Sequence, residues 1–493
     1  MSTSVNARET IHTVVPPVDG GVWDLLVIGG GTAGLVGART AASFGASVLL
    51  VERDRTGGDC LWTGCVPSKA LLAAAAAAAD ARGAGRFGVH VEGVRVDFAA
   101  VMAHVHSAIA TIEPVDSPQT LRDAGVAVVH GTARFSGPAS AQVDGVTVRF
   151  RHALVATGSD PAVPPIPGLA TGDTVLTSDT VWNLTELPAR LVVLGGGTIG
   201  CELGQAFGRL GSQVTIVEAA ERLLVDEDVD AARLVTEALV REGVSVLVGT
   251  PVTALEGSAG SAEVVLADGR RVPADVVLVA LGRLPDTRDL DLAAAGVATD
   301  GRGFVVVDAQ LRTSNAVIWA AGDVTGHPQF THVAGVHGST AATNAVLGLH
   351  RAADLVIPRV TFTSPELAAV GAGTGHTVRT YRNDHVDRAI TEADTGGFSR
   401  LVLDRHGRVI GAIVVGPRAG ETLAELTLAI RRGLRARDLA ATMHPYPTFG
   451  DGPWNAAITV VRTQLGSGPA RTVVRALAGA RRRWTGRRGI PGS

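Results

Sequence analysis

The sequence predicts an α/β fold in which two similar nucleotide-binding units share one chain, and three observations predict it. A strand, a glycine-rich turn, a helix and a second strand follow one another from residue 24, and the same pattern returns from residue 191. Glycine supplies 61 of 493 residues and apolar residues 46%, with aromatics at only 4%, a balance that suits buried strands alternating with helices. A chain of this length exceeds one ordinary core, so about two to four domains are expected.

The first unit reads Asp24-Leu25-Leu26-Val27-Ile28-Gly29-Gly30-Gly31-Thr32-Ala33-Gly34 and closes at Val48-Leu49-Leu50-Val51-Glu52. Gly29, Gly31 and Gly34 let the backbone approach a pyrophosphate at a helix N-terminus, and Glu52 stands where an acid binds a ribose hydroxyl pair. A lone G-x-G-x-x-G is weak; one between an apolar run and an acid about 20 residues on is strong. The second unit reads Leu191-Val192-Val193-Leu194-Gly195-Gly196-Gly197-Thr198-Ile199-Gly200 and closes at Val214-Thr215-Ile216-Val217-Glu218. Gly195, Gly197 and Gly200 take the same roles. Glu218 disfavours a 2′-phosphate, so NADH is expected over NADPH, a preference that Arg222 nearby moderates.

Two of the three cysteines lie in Gly57-Gly58-Asp59-Cys60-Leu61-Trp62-Thr63-Gly64-Cys65-Val66-Pro67-Ser68-Lys69. Thiols with this spacing can bridge if the loop brings their Cα atoms within roughly 7 Å. Pro67 suits a first helical turn and Leu71 to Ala81 is strong helix sequence, so Cys65 is expected just before a helix N-terminus, where a thiolate is favoured. Taken alone, the pair is as compatible with buried structural thiols as with redox chemistry. Two dinucleotide units around it point instead to an electron path from nicotinamide through flavin to a disulfide.

On these motifs the chain resembles the class I pyridine nucleotide-disulfide oxidoreductases, the family of dihydrolipoamide dehydrogenase, glutathione reductase and mercuric reductase, from about Trp23 to about Ile458. Gly131-Thr132-Ala133, Ala156-Thr157-Gly158, Ala280-Leu281-Gly282-Arg283-Leu284-Pro285 and Trp319-Ala320-Ala321-Gly322-Asp323 fall in the family order. The resemblance implies two Rossmann-like domains, binding FAD and NAD(P), plus an α+β C-terminal dimerisation domain, in a homodimer. It implies FAD contacts from Gly29, Gly31, Gly34, Glu52, Gly58, Lys69, Ala133, Thr157, Gly158 and Asp323. Gly195, Gly197, Gly200, Glu218 and Gly282 would serve the nicotinamide nucleotide. Cys65 would be the thiol nearest the flavin, Cys60 the interchange thiol, and Lys69 the flavin-side lysine paired with Glu202. Cys201 reads as a small buried residue.

Near the C-terminus the family's His-Pro-Thr-x-x-Glu element becomes Tyr446-Pro447-Thr448-Phe449-Gly450-Asp451, with Tyr446 in the histidine slot and Asp451 in the glutamate slot. A phenol with an ordinary pKa near ~10 is a poor base at neutral pH, so efficient reduction of lipoamide or glutathione is not expected. His444, two residues upstream, is not promoted to a replacement base; packing near the interface is the plainer reading of it, and its role stays open. The tyrosine, together with Asp387-Arg388-Ala389-Ile390-Thr391 and Gly397-Phe398, resembles mercuric reductase. Mercuric reductases add a C-terminal cysteine pair and a metal-binding domain; here no cysteine follows Cys201, so dedicated mercury handling is not expected. The segment after Val370-Gly371 is also too short for the helix the family inserts there.

The boundaries expected are an FAD domain at residues 22–174 and 301–350, an NAD(P) domain at 175–300, a dimerisation domain at 351–469, a disordered N-terminal tail at 1–21 and a basic tail at 470–493. A net charge of −3 gives no reason to expect nucleic acid. Three cysteines without a framework suggest the cytoplasm, and neither a signal peptide nor a membrane span is expected. His104 and His106, two apart on a helix, face different ways, and no metal site is expected. Arg471, Arg475, Arg481, Arg482, Arg483, Arg487 and Arg488 occur without an acid, interleaved with Val473, Val474, Leu477 and Trp484. This segment reads either as a solvated tail or as a peripheral contact with an anionic membrane.

The function expected is transfer of electrons from NAD(P)H through FAD to a Cys60–Cys65 disulfide and on to a small disulfide, metal ion or other acceptor. The rival readings are a flavin dehydrogenase or quinone reductase with a non-catalytic cysteine pair, and a membrane-associated module with little turnover of its own.

Overall fold

The computed structural model describes residues 21–257 and 260–486. The expected N-terminal tail, apart from Gly21, and Arg487 and Arg488 lie outside the described residues. Two compact units emerge, one running to Leu223 and including Val240–Leu355, the other Leu224–Leu239 with the chain from Val356 onward.

The first unit begins with β1 (Val22–Ile28), α1 (Thr32–Ser43), β2 (Val48–Glu52), α2 (Gly58–Trp62) and α3 (Cys65–Gly83). It continues with α4 (Phe98–Ile112), α5 (Pro118–Asp123), β3 (Val126–His130), β4 (Ala133–Gly137), β5 (Ser140–Val143) and β6 (Val146–Val155). The strands order as β3-β2-β1-β6-β5-β4, and Ile318–Ala320, far along the chain, adds a further strand beside β6. β1 pairs in parallel with β2 and β6. Parallel strands are covered on both faces, which is why β1 and β2 read as near-continuous apolar runs. Successive residues feed opposite cores: Leu25, Val27 and Leu50 pack on one side, Leu26, Ile28 and Leu49 on the other.

The second nucleotide unit repeats the pattern. After β7 (Ser159–Pro161) and β8 (Val175–Thr177) come β9 (Arg190–Leu194), α6 (Thr198–Leu210) and β10 (Gln213–Val217). A five-stranded parallel sheet places β9 between β10 and the strand Val276–Val279. A small antiparallel sheet over residues 252–274 covers it.

Two helical stretches, Gly58–Phe87 and Phe98–Asp123, are long and apolar enough by composition to cross a membrane, with mean hydropathy 1.3 and 1.2. They contain α3 and α4, which pack on each other, while α3 also packs on α6. Ala70, Leu71 and Ala75 of the first and Met102, Val105 and Ile109 of the second are buried. The alanine run thus serves close helix packing.

In the other unit, strands at Arg359–Thr361, Glu366–Gly371, Val409–Gly416, Phe398–Leu403 and Thr377–Arg382 form one antiparallel sheet in that order. The hairpin at Asp404–Arg408 closes through Asp404 N–H to the Arg408 carbonyl, with Gly407 at φ 74°. Residues 372–376 run directly from one strand to the next without a helix. The basic segment is helical over Gly468–Gly486.

Candidate active site

Both glycine turns have the same build. Gly29 has φ +104° and lies against the Ala156 carbonyl, while a Cβ at Gly34 would strike the Gly29 carbonyl. Glu52, at the end of β2, accepts from Gly30 N–H at 2.5 Å and Asp54 N–H at 2.8 Å. Glu218 copies it, accepting from Gly196 N–H at 2.7 Å and Ala220 N–H at 2.8 Å. Gly195 repeats the left-handed φ at +107°, and a side chain at Gly200 would strike its carbonyl. Each turn therefore leads through glycine into a helix N-terminus, α1 or α6, with the glutamate at the end of the following strand folded against its middle glycine.

These turns fit a dinucleotide. Gly58 sits against Gly31, so a Cβ there would come to 2.6 Å from the Gly31 Cα and fill the cradle. At Gly197 a Cβ would meet nothing within 4 Å. Gly282, with φ +102°, borders open space in the same way. Arg222 donates to the Leu223 carbonyl at 3.3 Å.

The other expected contacts gather in the same unit. Ala133 is buried at the start of β4. Thr157 donates to the Asp286 carbonyl at 2.7 Å, and Gly158 follows it with φ +76°. Asp323 accepts from Ser159 Oγ at 2.8 Å. Arg283, beside Gly282, ties these parts together: it pairs with Asp59 of α2, donates to Ser159 Oγ at 2.8 Å, and lies 3.9 Å from Asp323. Sequence reasoning gave Arg283 no role of its own, because its partners are more than a hundred positions away except for Asp323.

The cysteine loop is tighter than the sequence suggested. Cys60 lies on α2, a short helix not anticipated, and Cys65 is the first residue of α3 rather than just before it. Gly57 at φ +109° turns the chain into α2, and the N–H groups of Thr63 and Gly64 both bond the Asp59 carbonyl, at 2.9 and 2.5 Å. Trp182 donates to the Thr63 carbonyl at 2.8 Å and pins the loop from the second nucleotide unit.

Both cysteines are thiols, and they hydrogen-bond each other. Donation from Cys60 brings Cys65 down to about 6; Thr331, 3.1 Å from the sulfur, and the Lys69 charge act in the same direction against burial. The same contact, with burial, drives the Cys60 thiol strongly upward. The shared hydrogen bond thus pushes the two thiols in opposite directions, Cys65 down and Cys60 up. Lys69 reaches Glu202 at 2.8 Å; the glutamate side chain is 5% exposed and the lysine 39%. Cys201 is fully buried and pushed up to about 12 by desolvation, so it takes no part in this chemistry.

In the other unit Tyr446 is exposed and donates to Asp387 Oδ2 at 2.5 Å. That bond and the carboxylate charge raise the phenol above its ordinary range. Asp451 is buried and accepts from Thr448 N–H at 3.2 Å; its Oδ1 has no hydrogen-bond partner among the described residues. Tyr446 and Asp451 are thus not hydrogen-bonded to each other, and Asp387 is the partner that sequence reasoning missed. His444 stacks on Trp454 and reaches Glu425 at 3.0 Å.

The chain with these two glycine turns and the free cysteine pair is matched by two family models. The description pyridine nucleotide-disulphide oxidoreductase covers residues 23–338, and that family's dimerisation domain covers 357–457. The chain belongs to the pyridine nucleotide-disulphide oxidoreductase family. A mercuric reductase of Streptomyces lividans is 40% identical over 456 residues, 89% of this chain and 96% of its own length. A dihydrolipoyl dehydrogenase of Thermus scotoductus is 37% identical over 88% of this chain and 96% of its own. Among solved structures, LpdA of Mycobacterium tuberculosis superposes with TM-score 0.82 at 29% identity, covering 88% of this chain and 99% of LpdA. The HOCl-induced flavoprotein disulfide reductase RclA of Escherichia coli gives 0.80 at 29%, covering 89% and 100%. Members of this oxidoreductase family bind FAD and NAD(P)H, and the dimerisation-domain match supports a homodimer.

Proposed function

We propose that this FAD-dependent oxidoreductase takes electrons preferentially from NADH and delivers them through the Cys60–Cys65 pair to a small metal ion or disulfide in the cytoplasm. The observation that carries the reading is the free Cys60–Cys65 pair on α2 and the start of α3, with Thr331 Oγ1 3.1 Å from Cys65 Sγ and Lys69, on the same helix as Cys65, paired with Glu202; the hydrogen bond between the thiols lowers Cys65 and raises Cys60.

Bound FAD would supply the two-electron step between nicotinamide and disulfide. The first glycine turn, Glu52, Gly58, Ala133, Thr157, Gly158 and Asp323 would hold it, and the second turn with Glu218 and Gly282 would hold the nicotinamide nucleotide. Two electrons and one proton convert the Cys60–Cys65 disulfide into the Cys65 thiolate and the Cys60 thiol. Lys69 would favour the charged form of Cys65, and Glu202, 2.8 Å away, would orient Lys69. Cys60 then meets the acceptor.

The phenol of Tyr446, raised above its ordinary range and already donating to Asp387, is a proton donor rather than a base. That supports acceptors other than lipoamide-type disulfides, whose interchange with Cys60 needs an acid–base group. The names of relatives support a metal ion as one such acceptor: mercuric reductase in Streptomyces lividans, and a Cu(II) complex of RclA among the solved structures. A peripheral membrane contact through the arginine-rich C-terminal helix belongs to the same reading.

Anaerobic titration with NADH and NADPH, followed by absorbance, tests it. A long-wavelength thiolate-to-flavin band after two electrons, appearing faster with NADH, is expected. Bleaching without that band would refute the relay and favour a quinone reductase or flavin dehydrogenase whose cysteines are structural; Cys60→Ser would then leave turnover intact.

A further inference from the structure

The helix Gly468–Gly486 contains five arginines (Arg471, Arg475, Arg481, Arg482 and Arg483) and no acid. At 100° per residue, Val473, Leu477, Ala480 and Trp484 line one side, while Arg471, Arg475 and Arg482 line the opposite side. Arg481 and Arg483 fall on the two flanks of the apolar row, and the Arg481 guanidinium lies 4.4 Å from the Trp484 ring centroid. The row is exposed: Val473 is 57% exposed, Leu477 65% and Trp484 46%.

We propose that this helix lies in the surface of an anionic lipid bilayer, apolar row inward. Three features select that occupant. The row is about one side chain wide, which suits shallow immersion at the headgroup boundary. The flanking arginines have aliphatic stems long enough to follow the row inward while their guanidinium groups stay with lipid phosphates. The chain as a whole is −3, so this helix carries charge opposite to the rest and would meet a negative surface first. A second copy of the helix would bring five like charges against five, and a nucleic acid would leave the apolar row without a partner.

This inference rests on the same reading of an intact redox flavoprotein, but its test separates the two. Full-length protein is sedimented with vesicles of phosphatidylcholine alone and of phosphatidylcholine mixed with phosphatidylglycerol. Binding to the mixed vesicles alone is expected. Arg475→Gln and Arg482→Gln should each lower the partition roughly fivefold. Leu477→Glu should abolish binding while leaving NADH-dependent reduction of a soluble dye and the melting temperature unchanged. Cys60→Ser should lose turnover but bind vesicles as before, so failure of the relay would not be mistaken for failure of the docking. Absence of binding, equal binding to both vesicle types, or insensitivity to Leu477→Glu would overturn the proposal. Dissociation of the homodimer by Leu477→Glu would assign the row to a second copy, and single-stranded DNA outcompeting the vesicles would assign the helix to nucleic acid; either overturns it.

Discussion

Replacing Cys60 by alanine or by serine should separate packing from hydrogen bonding at Cys65. The thiol ordinarily titrates near 9 and here comes down to about 6, chiefly through donation from Cys60. Hydrogen bonds to charged groups contribute about 1.5–3 kcal/mol net. Divided by 1.36 kcal/mol per pH unit, Cys60→Ala should move Cys65 up by roughly one to two pH units. It should not return fully, because Thr331 and Lys69 still act on the sulfur. Cys60→Ser keeps an O–H donor and should stay close to the parent value. The rate of alkylation against pH reads the difference, and in either variant one thiol titrates, which removes the coupling that blurs the parent pair. Cys201, at about 12 and fully buried, stays silent. Identical pH profiles for the two variants would refute the assignment of the shift to the Cys60 hydrogen bond.

Other perturbations test other parts. The lowered Cys65 value means that its contribution to folding of the dithiol form is lost below about pH 6 and grows with pH up to about 9, so reduced protein should gain stability over Cys65→Ser across that window; a constant difference would contradict it. Lys69→Met should cost more stability than Glu202→Gln, about 2–3 against about 1 kcal/mol, because the carboxylate is the buried partner; denaturant melts read the order. Gly34→Ala drives a Cβ into the Gly29 carbonyl and should cost about 1–3 kcal/mol with loss of bound flavin, read by the absorbance ratio of flavin to protein. Asp387→Asn should lower the Tyr446 phenol toward its ordinary value; with two tyrosines in the chain, ultraviolet titration resolves it, and an unmoved curve would remove Asp387 as the cause. Glu218→Ala should raise the NADPH-to-NADH ratio of kcat/KM about tenfold, the effect of roughly 1.4 kcal/mol at the ribose.

The fold was legible where chemistry is local. Gly29, Gly34 and Glu52 lie within 24 residues of one another, and the strand–turn–helix that joins them is written in sequence order. The same holds for Gly195, Gly200 and Glu218. What escaped the sequence depends on distant partners. Asp59 carries no visible signal until Arg283 arrives beside it from 224 positions away, and Thr63 gives no hint that Trp182 will hold its carbonyl. Tyr446 was recognised by its slot, yet its hydrogen-bond partner lies 59 positions upstream rather than at the neighbouring Asp451. The short helix α2 was missed because five residues, preceded by Gly57 and opened by Gly58, both at positive φ, carry no helical period.

The strand Ile318–Ala320 sets an order on synthesis. It pairs with β6, whose other neighbours were made before residue 155, and Asp323 follows it directly. While the ribosome is still making residues 156–317, the first sheet lacks that edge and Ser159 lacks the carboxylate it donates to. The second nucleotide unit, whose five strands all lie between Val175 and Val279, can close in that interval. The nascent chain can therefore complete its later-encoded nucleotide fold before the earlier-encoded sheet receives its last strand and Asp323, which are made only when about two-thirds of the protein has been synthesised.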